Sequence, residues 1–107
     1  MNAVIDKIPA LVAEELQAAN NTYSPFHSLH EGWAVLKEEI EEAHDDLLNA
    51  ELFLQRMWRG VKEDDAEKCK GEALRIETFA KHLAAEAIQV AAMAEKFIAS
   101  TAGGDAS

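Results

Sequence analysis

The stretch "LKEEIEEAHDDLLNAELFLQRM", residues 36–57, decides the fold because apolar residues recur along it at alternating intervals of four and three. That spacing keeps one face of an α-helix apolar over about six turns. We call this face the predicted seam of the second helix. It consists of Leu36, Ile40, Ala43, Leu47, Ala50, Leu54 and Met57. A stripe this long and narrow predicts a long helix packed against another long helix.

A second stripe with the same spacing lies nearer the end of the chain, at Ile76, Ala80, Leu83, Ala87, Val90, Ala94 and Phe97. Small residues alternate with large ones on both stripes, which favours close antiparallel packing. Other large apolar side chains fall off the two stripes, namely Trp33, Leu48, Phe53, Trp58, Ile88 and Met93. The predicted fold is therefore an all-α antiparallel bundle of about three helices, two of them long, completed by oligomerisation into a dimer or a larger helical assembly.

Turn and cap signals set the expected boundaries at residues 7–20, 28–58 and 73–100 for the three helices. In "SLHE", Ser28 and Glu31 have the spacing of a capping box, and Ser24 before Pro25 is the competing start. Gly60 is the expected stop of the second helix, and the charged segment 59–73 is either a loop or the exposed first turns of the third helix. We expect one domain over residues 1–100 and a disordered tail over 101–107.

The formal net charge of −10 argues against binding to a nucleic acid polymer, which requires clustered Lys and Arg, and is compatible with binding divalent cations. Cys69 is the single cysteine, so no intrachain disulfide forms. No apolar run is long enough for a membrane helix, and the N-terminal segment lacks a signal-peptide core. We therefore expect a cytoplasmic protein without a membrane partner.

The acidic run from Glu38 to Asp46 divides into two sets when it is placed on the helix. Its first set lies opposite the predicted seam and needs no function: Glu38, Glu41 and Asp45. The second set borders the seam: Glu39, Glu42 and Asp46. The third helix carries Glu86 and Gln89 on the corresponding flank, where residues three apart share one face. These oxygen donors suit a hard divalent cation, although charged flanks are also common in coiled coils without a ligand.

Two segments resemble the MazG-like all-α nucleoside triphosphate pyrophosphohydrolases. "EEIEE", residues 38–42, fits the EExxE pattern of that family, and "EAIQ", residues 86–89, stands where the family has ExxD on a later helix. With their surroundings, "HSLHEGWAVLKEEIEEAHDDL" and "EAIQVAAMAEKFI" are similar to small phage and prophage members of that fold. The resemblance covers roughly residues 23–99 and implies a dimeric or tetrameric enzyme that hydrolyses a (d)NTP to the monophosphate and pyrophosphate.

The resemblance also implies roles for individual residues. Glu39, Glu42 and Glu86 match metal ligands of the family, for Mg²⁺ or alternatively Mn²⁺. Glu38 is the flanking acid of the motif, and with Glu42 it is the candidate catalytic residue. Gln89 replaces an aspartate, which makes it a neutral and weaker ligand, and Asp46 is the acid that would compensate.

Five further residues are candidates for binding the substrate: Trp33, His30, Lys37, Lys81 and His82. Trp33 groups with Tyr23 and Phe26, either as a nucleobase-stacking wall or as a hydrophobic staple at the start of the helix. The two histidines and two lysines are either contacts to base and phosphate or ordinary rim residues. A zinc-type site at "HSLH" is disfavoured, because the Ser28 cap leaves the first histidine outside the helix.

Three functions stay open from the sequence. The first is an Mg²⁺-dependent nucleotide pyrophosphohydrolase. The alternative is a non-catalytic helical nucleotide- or metal-binding or assembly protein on the same fold, which Gln89 favours. The third is a coiled-coil interaction protein without a ligand.

Overall fold

The computed structural model describes the backbone of residues 3–106 and the side chains of residues 3–101. A 3-10 turn, Ile5–Lys7, leads into three helices: α1, Ile8–Thr22; α2, Leu29–Lys62; and α3, Ala66–Ala106. The described residues contain no strand, so the all-α prediction with two long helices is confirmed. None of these helices has an apolar stretch that could cross a bilayer.

The helices are longer than the sequence predicts. α1 runs two residues beyond the expected end, and α3 begins at Ala66 instead of residue 73. Segment 59–73 is thus almost entirely helical, and the loop alternative holds only for residues 63–65. α3 continues to Ala106 and overlaps the predicted tail. The side chains of residues 102–107 and the backbone of Ser107 lie outside the described residues, and the disordered tail stays a prediction.

α2 begins where the capping signal predicts. The Ser28 hydroxyl accepts a hydrogen bond from the Glu31 backbone N–H at 3.0 Å. The Glu31 carboxylate accepts from the backbone N–H of His27 at 3.2 Å, one residue earlier than a capping box requires. Ser28 is therefore the N-cap, and the alternative start at Ser24 is not used.

The connection between α2 and α3 explains why Gly60 does not end α2. A Cβ at Gly60 would lie 2.9 Å from Cys69 Sγ, so glycine allows the start of α3 to approach closely. α2 ends instead at Lys62. Asp64, in the loop that follows, has a φ of 53°, and the Asp65 N–H donates to the Gly60 carbonyl at 2.9 Å. Asp65 then caps α3 by accepting from the Lys68 N–H at 3.1 Å.

The described chain divides into two compact units, one formed by the residues up to Ile40 and from Glu86 onward, the other by Glu41–Ala85. We call them the terminal unit and the hairpin unit. The core of the terminal unit is Val12, Ala92 and Met93, with Ala92 completely buried. Around it pack residues of all three helices and of the loop before α2, namely Ile8, Leu16, Ala19, Phe26, Val35, Leu36, Ile88 and Ala91.

The hairpin unit is centred on Phe53, which is 9% exposed. Its ring stacks on Phe79 with centroids 5.7 Å apart. The guanidinium groups of Arg56 and Arg75 lie 5.2 and 5.4 Å from the Phe53 centroid, so both cations cover this ring. Both arginines therefore contribute to the packing around Phe53.

The buried stripe of α2 is rotated from the predicted seam. Leu36, Ala43, Ala50 and Met57 are sheltered as expected, but Ile40, Leu47 and Leu54 are 53%, 43% and 58% exposed. Their places in the packed stripe are taken by Gly32, Glu39, Asp46, Phe53 and Gly60. The rotation has a packing reason, because it brings two glycines and the Phe53 ring into the helix contact. It also moves two border acids, Glu39 and Asp46, into sheltered positions.

We predict opposite effects for two glycine-to-alanine substitutions. A Cβ at Gly32 would collide with the Phe97 ring and lie 3.2 Å from Phe26 Cδ2, so Gly32→Ala should cost about 1–3 kcal/mol. Gly71 lies inside α3 with open space around it, so Gly71→Ala should add about 0.5–1 kcal/mol. Urea unfolding of both variants measures the difference. Equal effects would contradict the packing at Gly32.

Candidate metal and nucleotide site

A cleft of about 660 Å³ opens in the terminal unit. α1 and the following loop contribute Glu15, Ala18, Ala19, Thr22, Tyr23, Ser24 and Phe26 to its lining. From the first turns of α2 come Glu31, Val35, Glu38 and Glu39, and from α3 come Gln89, Met93 and Lys96. One wall is apolar because Val35 and Met93 also belong to the core, and the rest of the lining is largely charged or polar.

Two carboxylates from different helices lie close together in this unit, and one of them, Glu39, lines the cleft. A carboxylate oxygen of Glu39 and one of Glu86 lie within 4.8 Å of each other, although 46 residues separate them in the sequence. Both side chains are half-buried, and the Oε2 atom of each is shielded from solvent. They meet because each occupies a sheltered position of its helix rather than the solvated face. The pairing of EExxE with "EAIQ" through these two residues was predicted from the sequence.

Gln89 and Glu38 complete the polar wall. Gln89 follows Glu86 by three residues, lies on the same side of α3 and lines the cleft. Its amide oxygen is a neutral ligand for a cation, and its amide nitrogen is a donor. Glu38 lines the cleft as well, although the helical wheel places it on the solvated face of α2.

Glu42 and Asp46 belong to the hairpin unit. Glu42 is exposed and follows Glu39 by three residues on the same continuous helix, so the two side chains lie on one side of α2. Asp46 is half-buried one turn later. The predicted roles of both residues as metal ligands stay predictions.

Lys96 supplies positive charge to the cleft, and the sequence analysis missed it. It is only 6% exposed, and its Nζ lies 4.8 Å from the centroid of the Phe26 ring. Gln89, Met93 and Lys96 are spaced by four and three residues, which places them on one face of α3. Extending the Glu86–Gln89 face by two turns would have found this lysine.

The five predicted substrate-binding residues do not line the cleft. Trp33 is 56% exposed and stacks on His30, with ring centroids 6.1 Å apart. Lys81 lies 3.8 Å from Glu77 on the surface of α3, and His82 packs edge-on against Phe79 in the hairpin unit. Lys37 is exposed on α2. Their roles in binding stay predictions.

The aromatic cluster at the start of α2 separates into different environments. Phe26 packs against Phe97 of α3, with ring centroids 6.5 Å apart, and joins the core. Tyr23 is 69% exposed and lines the cleft. The aromatic surface next to the acids is therefore formed by Tyr23 and Phe26 rather than by Trp33.

The two kinds of lining suggest two kinds of ligand group. Paired carboxylates with an amide oxygen are the donor set that Mg²⁺ and Mn²⁺ accept. The buried ammonium of Lys96 beside the Phe26 ring, in a cleft that Tyr23 also lines, suits an anionic ligand with a flat ring. A metal-bound nucleotide contains both.

Comparison of the chain with protein-family models, with curated proteins and with solved structures found no match in any of the three. The MazG-like resemblance therefore stays an expectation from the sequence.

We predict that Gln89→Asp strengthens Mg²⁺ binding. The substitution adds a carboxylate to the cleft wall that already carries Glu39, so affinity for the cation should rise about tenfold, or ~1.4 kcal/mol. Isothermal titration of the metal-free protein with Mg²⁺ measures this. Gln55→Asp, on the exposed surface of α2, adds the same charge away from the cleft and should leave the affinity unchanged. No change in Gln89→Asp would place residue 89 outside the metal site.

Proposed function

We propose that this protein is an Mg²⁺-dependent nucleoside triphosphate pyrophosphohydrolase, which hydrolyses a (d)NTP to the monophosphate and pyrophosphate in the cytoplasm. The observation that carries the proposal is the meeting of Glu39 and Glu86 beside a cleft large enough for a nucleotide. Further support comes from the match of both residues to the EExxE and ExxD positions of the family that the sequence resembles.

The donor chemistry fits a hard divalent cation. Glu39 and Glu86 carry like charge within 4.8 Å, and each has one oxygen shielded from water, so the charges are weakly screened. In this proposal Glu39, Glu86 and Glu42 hold the cation, with Gln89 as a weak ligand and Asp46 as a supporting acid. When bound, Mg²⁺ or Mn²⁺ supplies positive charge against the phosphate oxygens and polarises the attacking water.

The protein's own side chains have the remaining roles. Glu38 is exposed at the cleft, where its carboxylate accepts a proton from the attacking water as general base. Glu42 is the second candidate catalytic residue. It lies one turn further along α2 and is also a proposed ligand of the cation. Tyr23 and Phe26 provide the apolar surface against which a nucleobase packs, and Lys96 offsets negative charge of the ligand.

A non-catalytic binding protein on the same fold is the second candidate. Gln89 favours it, because a neutral amide at this wall of the cleft reduces the negative charge available to the metal. The two candidates differ in turnover but share metal and nucleotide binding.

We predict Mg²⁺-dependent release of pyrophosphate from at least one member of a (d)NTP panel. Glu39→Gln and Glu86→Gln should each lower kcat at least about 100-fold, because each removes a ligand. Asp45→Asn is the matched control on α2, since it removes an exposed carboxylate from the same helix and should keep full activity.

Thermal melting in the same variants separates the candidates. Stabilisation by Mg²⁺ and nucleotide without turnover would support the binding protein. If wild type and Asp45→Asn both show no turnover and no Mg²⁺-dependent rise in Tm, both candidate functions are wrong.

We predict that Lys96→Met weakens nucleotide binding about tenfold at saturating Mg²⁺, or ~1.4 kcal/mol, because it removes the basic group that lines the cleft. The variant should fold, since methionine has a similar length and avoids burying an ammonium group. Its Mg²⁺ affinity without nucleotide should not fall. Unchanged nucleotide affinity would exclude Lys96 from the binding site.

A further inference from the structure

α2 carries a second apolar stripe beside its buried one, and this stripe is exposed to solvent. Its members recur every seven residues: Trp33, Ile40, Leu47, Leu54 and Val61 are 56%, 53%, 43%, 58% and 51% exposed. A heptad repeat of large side chains on one continuous helix is the pattern of a coiled-coil contact, in which each apolar residue inserts between residues of a facing helix. We call this set the outer stripe.

The outer stripe is symmetric about Leu47, which decides what kind of partner fits it. A two-fold axis at Leu47 that pairs two copies of α2 in opposite directions brings Ile40 against Leu54 of the second copy and Trp33 against Val61 of the second copy. Leu47 meets its own counterpart. Each large side chain of the stripe then faces another large apolar side chain, as an isologous interface requires.

The charges of α2 favour the same arrangement. Before Leu47 the helix carries seven carboxylates and one lysine, whereas after Leu47 it carries one carboxylate, two arginines and one lysine. The net charges of these segments are −6 and +2 with histidines neutral. Antiparallel pairing places the acidic segment of one copy along the basic segment of the other, whereas parallel pairing places acids along acids.

We propose that the outer stripe is the interface of a homodimer in which two α2 helices pack antiparallel about Leu47. The second copy covers the large apolar side chains that the single chain leaves exposed. This inference is independent of the proposed catalytic function.

Cysteine cross-linking tests the direction of the helices. In a Cys69→Ser background, Ile40→Cys and Leu54→Cys are made as separate proteins and mixed under a glutathione redox buffer. The proposal expects disulfide-linked dimers in the mixture and little cross-linking of either protein alone. Residues 40 and 54 lie about 21 Å apart along one helix, so an antiparallel dimer cannot join position 40 of one copy to position 40 of the other without large movement.

A matched pair of leucine substitutions tests the stripe itself. Leu47 and Leu52 are 43% and 42% exposed, but Leu52 lies about 140° around the helix from Leu47. Leu47→Glu should raise the dimer dissociation constant at least about 100-fold, because it places two carboxylates at the axis, whereas Leu52→Glu should change it less than about threefold. Analytical ultracentrifugation measures both constants, and circular dichroism checks that both variants keep their helices.

Three results would overturn the proposal. The first is a wild-type protein that sediments as a monomer at micromolar concentrations. The second is cross-linking of Ile40→Cys to itself, which indicates a parallel dimer. The third is the combination of two findings: Leu47→Glu remains a dimer, and the mixture of Ile40→Cys with Leu54→Cys forms no disulfide.

Discussion

The contact of α1 with α3 determines how the terminal unit is built. Ala92 of α3 is completely buried in one cluster with Val12 of α1 and Met93, so a larger side chain there would displace its neighbours. Once this contact is made, the next side of α3 faces the cleft, and Gln89 and Lys96 line it. The core of the terminal unit is small, so the unit depends on few apolar contacts. The polar side chains that line the cleft add little to this apolar packing.

A carboxylate at a sheltered position of a helix costs folding free energy, and both α2 and α3 carry one. Glu39 lies at a position where a helix of a simple bundle would carry a leucine, and Glu86 does the same on α3. Each such residue replaces apolar burial with a charged group that favours a cation or another compensating partner. Helix packing alone does not require these acids. The pair Glu39 and Glu86 therefore supports a metal site better than the number of acids between Glu38 and Asp46 does.

The rotation of α2 links the cleft to the proposed dimer. Turning α2 so that Glu39, Gly32 and Phe53 face inward turns Ile40, Leu47 and Leu54 outward. These three apolar residues of the predicted seam are then exposed and can contact a helix of a second copy. The predicted seam therefore divides into two parts: Leu36 and its heptad equivalents are sheltered inside the chain, and the residues that it shares with the outer stripe are exposed at the surface proposed for the dimer.

The sequence by itself determined the helical class and the Ser28 cap at the start of α2, because these depend on local caps and on periodicity along single helices. The pairing of Glu39 with Glu86 was an expectation of the sequence analysis, and only the packing of α2 and α3 brings the two carboxylates together. The sequence did not determine the boundaries near Gly60, where glycine allows a close approach instead of ending the helix. Only the tertiary structure decided which of two adjacent apolar stripes is buried, since both have heptad spacing and packing around Gly32 and Phe53 selects between them. The same packing decided that Lys96, rather than the more exposed lysines, lines the cleft. Long side chains on different helices become neighbours through the way the helices are packed, and sequence spacing records only the neighbours on one helix.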